Sequence, residues 1–509
     1  MGSLFSGFSI VHAMHSLHDF VERRPRAAFL AFAALHLIVW TALPATLRPN
    51  LPLDVIEALT YGREWQLGYD KLPPLPWWLA EIAFRLIGRD FAYFALSQVA
   101  VIAAFAVIWA TARPLVGPVG ALLALLIVDG LHYFHYTAAQ FNHNVIQLPL
   151  WALAGYSYRA ALREGRLLSW VLLGLSLGAA VWAKYFVVVL ALPLALFLLT
   201  DRDARKALRT PGPYLALIAA LVVVAPHLWW LIANDFLPFA YASARAEALR
   251  DNLDHLLRPL EFTAGQFFFL LPALAIAAPL LWRADRSPAR AADAFDRRIV
   301  TLLAFGPFAT VVALSALTGR GTIAMWGYPL WLFLGLWIVL EFRRATEQKR
   351  FAQVVSIWAM VFLTFTLVFI ANYAVLPHFD QRYRAALFPG DRLAGEISAR
   401  FRAATGRPLV YVVSDIWTGG NIAHYAPGRP RLLIDGDPRR APWIDLADLK
   451  ARGAAVVWTG SDPRTMPPRF QQAAPNAQVQ PPFKLKFHWV PRELEVGWAI
   501  LPPQPAAAR

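Results

Sequence analysis

The chain has 509 residues, of which 58% are hydrophobic and only 16% charged, and it contains 20 Trp. This composition is too apolar for an ordinary soluble domain and is typical of a polytopic membrane protein. The formal net charge of +15 raises nucleic acid as a partner, but the Lys and Arg residues stand in short loops between apolar spans, so no nucleic acid is expected.

The first apolar span runs from Ala27 to Leu47 and follows a basic cluster at residues 23–26. It is long enough to cross a bilayer, which predicts a membrane span rather than a cleavable signal. By the same criterion the chain has about 11 spans, near residues 27–47, 91–112, 114–132, 144–158, 167–183, 185–200, 211–233, 262–282, 299–318, 323–340 and 351–375. Lys184 separates two short spans, because one helix over 167–200 would be about 50 Å long and exceed a hydrocarbon core of about 30 Å.

Basic residues mark one side of these spans. They concentrate in the N-terminal segment and in loops such as 159–166, 202–209 and 283–298, whereas the short loops on the other side hold almost none. Because basic loops stay in the cytoplasm, the N-terminus is predicted to be cytoplasmic and the protein to lie in a cell inner membrane. The outer, periplasmic face then holds Asp54, the 142–144 segment, Lys184, Arg245, Arg320 and everything after Leu376.

The first outer loop, residues 48–90, is rich in Trp and Leu as well as in charge. Such a mixture predicts amphipathic helices that lie in the membrane interface. Pro73 and Pro74 are predicted to end one helix and start another, and thereby to hold Lys71 near Asp54. Asp54 and Glu57, three residues apart, fit a helix cap with Asp54 as N-cap. Asp54 also fits a general base for an acceptor hydroxyl, and the two interpretations do not exclude each other.

The composition changes at about Leu376, where the apolar spans stop. Strand-like runs alternate there with helix-like segments, which predicts a small α/β domain. The strands are expected at 408–415, 431–435, 454–460, 485–490 and 494–501, and the helices at 391–404 and 443–453. The predicted organisation is a cytoplasmic N-terminus (1–26), a membrane domain (27–375) and a periplasmic domain (376–509).

Further polar residues on the outer face are candidates for substrate contacts. Lys184 is either a cation for a phosphate group or a turn lysine whose ammonium reaches the lipid headgroups. Arg245 and Arg320 offer guanidinium groups that suit phosphate or carboxylate. Neutral groups that suit sugar hydroxyls come from three consecutive residues: Asn142, His143 and Asn144. This sequence fits equally well the polar end of an interfacial aromatic belt.

A metal site is not expected in this chain. The sequence has no cysteine, which excludes disulfides and thiolate ligands. His132, His135 and His143 lie three and eight residues apart, with no carboxylate among them.

Four features together resemble the GT-C superfamily of polyprenyl-phosphate-sugar-dependent glycosyltransferases. They are the acid after the first span, the GYDKLPPLPWW sequence at 68–78, the polar loop before a span at 142–149, and GLSLGAAVWAKYFVVVLALP at 174–193. The sequence is similar to the branch that includes protein O-mannosyltransferases and the aminoarabinose transferase of lipid A. The resemblance covers residues 20–375, and the tail resembles the small periplasmic domain of such enzymes, so a GT-C fold is implied.

The resemblance also implies roles for individual residues. Asp54 corresponds to the proposed catalytic residue, and Lys71 and Lys184 to the lysines implicated in binding the lipid-linked phosphate. The candidate substrate-binding residues are Glu57, Tyr69, Lys71, Asn142, His143, Asn144, Lys184, Arg245 and Arg320.

Two departures from the family pattern bear on the mechanism. Many members have adjacent Asp and Glu, whereas here Val55 follows Asp54 and the next acid is Glu57. Many also have an Asp in the second outer loop, where this chain has Asn142 or Asn144. A mechanism with two carboxylates or a divalent ion is therefore not expected.

The implied reaction is an inverting single displacement at the anomeric carbon of a sugar carried by undecaprenyl or a similar polyprenyl phosphate. The acceptor is lipid A, another envelope glycan or lipid, or a protein, and no cofactor is expected. Two alternatives stay open: a lipid or sugar transporter or flippase, and a non-catalytic envelope assembly protein. A transporter would place its residues near the bilayer midplane in repeated halves, whereas here they gather on one face and no repeat is visible.

Overall fold

The computed structural model describes residues 14–245, 249–282, 293–342, 347–380 and 382–504. Contacts divide the chain into two compact units. The first unit comprises Met1–Thr41, Ala95–Ala139 and His143–Val368. The second unit comprises Ala42–Phe94, Gln140–Asn142 and Phe369–Arg509. The predicted first outer loop therefore belongs, by its contacts, with the C-terminal residues.

Helices dominate the chain as far as residue 370. Their bounds are Pro25–Leu47, Leu53–Gly62, Leu75–Ile87, Phe91–Asp129, His143–Glu164, Leu167–Ala183, Val188–Thr200, Gly212–Ala233, Leu237–Arg245, Asp254–Leu281, Ala294–Thr318, Leu334–Glu341 and Gln348–Ile370. Among the described residues six helices are long and apolar enough to cross a membrane, and the apolar helices Leu167–Ala183 and Tyr185–Thr200 are shorter. The polytopic helical class is confirmed, but the predicted count of spans is not.

Four regions account for the difference in the count of spans. Helix His143–Glu164, which covers the predicted span 144–158, is not among the six long apolar helices, and Leu167–Ala183 and Tyr185–Thr200 are too short to be counted. The predicted spans 91–112 and 114–132 correspond to two helical segments within Phe91–Asp129, which counts once among the six. They are separated at Gly117, whose backbone is not helical (φ 73°, ψ 178°). The predicted span 323–340 contains a short 3₁₀ turn at Ala324–Gly327 and a helix, Leu334–Glu341, too short to span alone. The break predicted at Lys184 is present, because the preceding helix ends at Ala183 and Lys184 is extended.

Small residues set one close helix contact in the first unit. Gly174 and Gly178 lie four residues apart on helix Leu167–Ala183, against helix Gly212–Ala233. A Cβ atom at Gly174 would lie 2.1 Å from the Ala216 carbonyl oxygen, and one at Gly178 would lie 2.8 Å from Val223 Cβ. Paired small residues of this kind let helix backbones approach within a membrane. The GLSLG part of the family-like sequence is thus a packing motif.

The C-terminal part of the second unit is a six-stranded sheet with helices. The strands are β1 (Tyr411–Ser414), β2 (Arg431–Ile434), β3 (Ala454–Thr459), β4 (Gln478–Val479), β5 (Phe483–Lys486) and β6 (Glu493–Leu501). The helices are Gly390–Thr405, Ile416–Tyr425, Leu446–Arg452 and Pro468–Ala473. β1 pairs in parallel with β2 and β3, and β6 pairs antiparallel with β3, β4 and β5. The predicted small α/β domain is confirmed.

Residues of the first outer loop pack directly on this domain within the second unit. A Cβ atom at Gly420, on helix Ile416–Tyr425, would lie 2.6 Å from Ile56 Cγ2, so the two helices touch. Arg429 pairs with Glu81 at 3.0 Å, and the Tyr425 hydroxyl donates to Asp90 at 2.9 Å. These contacts fix helix Leu53–Gly62, which carries Asp54, on the α/β domain.

Gly62 allows the two helices of the first outer loop to meet. A Cβ atom at this position would lie 2.1 Å from the Trp77 carbonyl oxygen, a backbone atom that cannot move aside cheaply. We expect Gly62→Ala to lower the free energy of unfolding by about 1–3 kcal/mol, since overpacking displaces the backbone. Thermal unfolding in detergent measures the effect.

Gly395→Ala is the matched control for that substitution. Gly395 lies inside helix Gly390–Thr405, and a Cβ atom there meets nothing within 4 Å. The control should leave stability unchanged or raise it by up to about 1 kcal/mol, because alanine favours a helix interior. Equal losses in both variants would contradict the close-approach argument.

Candidate functional site

Asp54 lies in the first turn of helix Leu53–Gly62 and is half-buried. The N-cap of this helix is Pro52, and no side chain caps it. The predicted role of Asp54 as N-cap is therefore wrong, because the extended Pro52 (φ −61°, ψ 156°) is the N-cap and the helix starts two residues earlier than that role requires.

Asn142 orients the Asp54 carboxylate. Its Nδ2 donates to Asp54 Oδ2 at 3.0 Å, and Asn142 itself is buried. Eighty-eight residues separate the two in sequence, yet both belong to the second unit. A neutral amide in this place steers the carboxylate without adding a charge, whereas an aspartate would repel it. The asparagine that departs from the family pattern thus has a defined structural role.

Glu57 holds Lys71. Lys71 Nζ lies 2.5 Å from Glu57 Oε2, and the glutamate side chain is almost completely buried. Burial raises the pKa of Glu57 above its ordinary value of 4.5, against the opposing effect of Lys71, and the charge of Asp54 raises it further. Glu57 and Asp54 stand three residues apart on one helix, so Glu57 places the Lys71 ammonium on the Asp54 side of the helix.

The raised pKa of Glu57 predicts how stability depends on pH. Between pH 4.5 and the raised pKa, the folded protein keeps a proton that the unfolded chain has lost, so rising pH favours unfolding. We expect the stability of the wild type relative to Glu57→Gln to fall as the pH rises through this window. Thermal unfolding of both proteins from about pH 4 to about pH 7 measures the difference. If the stability of the wild type relative to Glu57→Gln rose with pH instead, the raised pKa of Glu57 would be contradicted.

Tyr69 packs the segment that precedes Lys71. It is buried, and its hydroxyl donates to the Tyr61 carbonyl at 2.8 Å. Its ring meets Tyr61 and Trp77 edge to face, while Tyr61 and Trp77 stack with centroids 4.3 Å apart. Burial raises the pKa of Tyr69, so it stays protonated and neutral. The next helix starts at Leu75 after Pro74, as predicted, but the preceding helix already ends at Gly62, well before the prolines.

Lys184 has its own partners in the first unit. Its Nζ donates to Asn144 Oδ1 at 2.6 Å and lies 5.6 Å and 5.7 Å from the ring centroids of Phe186 and Trp326. Asn144 also donates to Met325 Sδ at 3.8 Å. Lys184 directly follows the end of helix Leu167–Ala183, where the helix dipole favours a cation. Amide and ring contacts hold the ammonium in place.

The remaining predicted site residues are His143, Arg320 and Arg245. His143 is buried at the start of helix His143–Glu164, in the first unit. Arg320 is exposed, and its Nη1 is 3.4 Å from Ser243 Oγ. Helix Leu237–Arg245 ends at Arg245, whose side chain lies outside the described residues. Among the described residues, no group of three His, Cys, Asp or Glu side chains is placed to hold a metal ion.

A buried polar cluster in the first unit fixes the segment that leads to the 142–144 sequence. His36 Nδ1 lies 3.0 Å from Asp129 Oδ1, and Trp358 Nε1 donates to Asp129 Oδ2 at 2.7 Å. His36 Nε2 is 3.0 Å from the Phe134 carbonyl, and Ser97 Oγ donates to the Ala138 carbonyl at 2.6 Å. Sequence analysis missed this cluster, although an acid near the end of an apolar span signals a paired partner.

The chain is similar to a family model and to curated proteins that are all described as glycosyltransferases. A family model described as Dolichyl-phosphate-mannose-protein mannosyltransferase matches residues 71–230. Lipopolysaccharide core galacturonosyltransferase RgtA of Rhizobium johnstonii is 23% identical over 470 residues, covering 88% of this chain and 90% of the relative. Lipid A galacturonosyltransferase RgtD of the same organism is 26% identical over 296 residues, covering 56% and 60%.

A solved structure has the same overall fold. The crystal structure of ArnT from Cupriavidus metallidurans bound to undecaprenyl phosphate matches with a TM-score of 0.63 at 14% identity, covering 95% of this chain and 99% of that one. The apo state of the same protein gives a TM-score of 0.61 over 94% of this chain and 99% of that one, also at 14% identity. At this identity the likeness establishes the fold, and it confirms the fold class that the sequence resemblance implied.

Proposed function

We propose that this chain, an integral-membrane protein of the GT-C superfamily, transfers a sugar from a polyprenyl-phosphate-linked donor to lipid A or lipopolysaccharide. The observation that carries the proposal is the Asp54 carboxylate, which Asn142 orients and which shares a helix with the Glu57–Lys71 pair. A base and a cation placed together are what a displacement at a sugar phosphate requires.

The reaction is a single displacement with a defined proton path. The acceptor hydroxyl oxygen forms a bond to the anomeric carbon while the bond from that carbon to the phosphate oxygen breaks. Asp54 takes the hydroxyl proton, and the phosphate leaves on its polyprenyl chain with one more negative charge. The configuration at the anomeric carbon is inverted, since the attack comes from the face opposite the phosphate.

Lys71 and Lys184 compensate the charge that develops on the phosphate. Their environments differ, because Lys71 is paired with a buried acid, whereas Lys184 is held by an amide and two rings. A phosphate that binds Lys71 therefore competes with the carboxylate of Glu57.

An apolar cavity in the first unit suits the polyprenyl chain. It has a volume of about 460 Å³ and is lined by side chains that include Trp170, Leu177, Val188 and Leu217. Tyr185, the residue after Lys184, also lines it, so a lipid tail in this cavity begins beside a cation. Burial of isoprenoid carbon in an apolar cavity adds binding energy in proportion to area.

We propose a galacturonosyl group as the donor sugar. The support comes from the relatives, which are described as galacturonosyltransferases. The loop 234–261 contains further arginines that would suit an acidic sugar, but Arg250 and Arg258 both pair with Asp254. Arg320 is exposed and contacts Ser243 at 3.4 Å, and its guanidinium suits a uronate carboxylate.

Transfer assays with purified full-length protein test this proposal. The protein is incubated with lipid A or lipopolysaccharide and with polyprenyl phosphate carrying galacturonate, mannose or aminoarabinose. Galacturonate is expected to be transferred, with inverted configuration by NMR of the product. Transfer of only another sugar would overturn the choice of sugar, and movement of the lipid-linked sugar across proteoliposomes without transfer would overturn the enzyme assignment.

A further inference from the structure

The Asp54 helix presents three polar residues on one face. Asp54, Glu57 and Tyr61 stand at spacings of three and four residues, which places them in one row along the helix. The segment before the second helix of the loop runs beside this row: Lys71 pairs with Glu57, and Asp70 accepts from Tyr61. The position of Lys71 thus depends on how its neighbour Asp70 is held.

Two donors from different parts of the second unit hold Asp70. The Tyr61 hydroxyl donates to Oδ1 at 2.9 Å, and Arg440 Nε donates to Oδ2 at 2.8 Å. The Asp70 side chain is only 11% exposed. A carboxylate this far from water depends on its charged donor, because the loss of one partner leaves desolvated charge behind.

Arg440 comes from the α/β domain, more than three hundred residues after Asp70. It follows strand β2 in a loop where Asp435 and Gly436 both have left-handed backbone angles, with φ of 53° and 74°. Asp435 also contacts the Arg440 guanidinium, so this side chain is held between two acids and aimed at Asp70. The adjacent Arg439 is 86% exposed and pairs with Asp437 in its own loop.

We propose that Arg440 is a positioning residue of the active site, which sets the place of the Lys71 ammonium through Asp70. The C-terminal α/β domain then contributes to the catalytic apparatus through the contact of Arg440 with Asp70. This inference rests on the proposed function, in which Lys71 meets the donor phosphate. The position of Lys71 can nevertheless be measured by a method that does not depend on enzyme activity.

The experiment compares Arg440→Gln with Arg439→Gln in the full-length protein. These adjacent arginines lose the same charge, but only Arg440 contacts Asp70. The rate at which an amine-reactive reagent labels Lys71, followed by mass spectrometry, reports how firmly the ammonium is held. Kinetic constants with the lipid-linked donor report the consequence for transfer.

In Arg440→Gln, the reagent is expected to label Lys71 several-fold faster than in the wild type. The kcat of this variant is expected to fall by about tenfold, since small displacements of a catalytic group are costly. Arg439→Gln is expected to match the wild type in both measurements, and Arg440→Lys to recover part of the loss. Asp70→Asn, which keeps the shape of the side chain, should reproduce the effect of Arg440→Gln from the other side of the contact.

Three outcomes decide the inference. Wild-type labelling of Lys71 in both Arg440→Gln and Asp70→Asn would overturn it, as would equal effects of Arg439→Gln and Arg440→Gln. Faster labelling without any change in transfer would support the positioning role and remove Lys71 from the proposed mechanism instead. The failure of the inference and the failure of the proposed function are therefore distinguishable.

Discussion

Asp54→Asn is expected to lower kcat for sugar transfer by about a hundredfold or more, the usual contribution of a general base. Asparagine keeps the shape of the side chain and an oxygen that accepts from Asn142, so the fold of the helix is preserved. What it lacks is a site that takes the proton of the acceptor hydroxyl. Initial rates with a lipid-linked donor measure the effect. An unchanged unfolding temperature shows that the variant keeps its fold.

Asp90→Asn provides the matched control in the same unit. Asp90 is a carboxylate of the first outer loop, but its partners are Tyr425 and His424 of the α/β domain. Its loss is expected to affect stability and to leave kcat unchanged. A wild-type rate in Asp54→Asn, or an equal loss of kcat in the two variants, would remove Asp54 from the proposed role.

The sequence alone carries enough information for the fold class and for the position of the helix break. Apolar spans and strand-like runs depend on local composition, which is why the helical region and the α/β domain are both predictable. The break at Lys184 follows from length, because a continuous helix would exceed the bilayer. The helix break at Gly117, directly before Pro118, and the short helix Leu334–Glu341 are not marked by hydropathy, so the number of spans does not follow from hydropathy alone.

The contacts of the candidate site are less predictable, since they join residues distant in sequence. The spacing of Asp54, Glu57 and Tyr61 indicates a shared helix face, but the partners of that face are Asn142, Lys71 and Asp70. Trp65, in the turn before Lys71, has a φ of 50°, an unusual backbone angle that sequence patterns do not reveal. The association of the first outer loop with the α/β domain depends on arginines such as Arg429 and Arg440.

Lys184→Gln is expected to lower kcat/KM for the donor by about a hundredfold, as the loss of one electrostatic contact to a transition state usually does. The amide still reaches Asn144 but carries no charge for the departing phosphate. Lys206→Gln is the control, an exposed lysine that pairs with Asp203 and should not affect transfer. If Lys184 were a turn lysine that contacts only headgroups, both variants would have wild-type kinetics.

The double variant Lys71→Gln with Lys184→Gln tests whether the two lysines serve one phosphate. Independent effects multiply, whereas groups that stabilise the same charge in one transition state give non-additive losses. We expect the double variant to lose clearly less activity than the product of the two single losses. Strict multiplication of the two single losses would mean that the lysines act on separate groups.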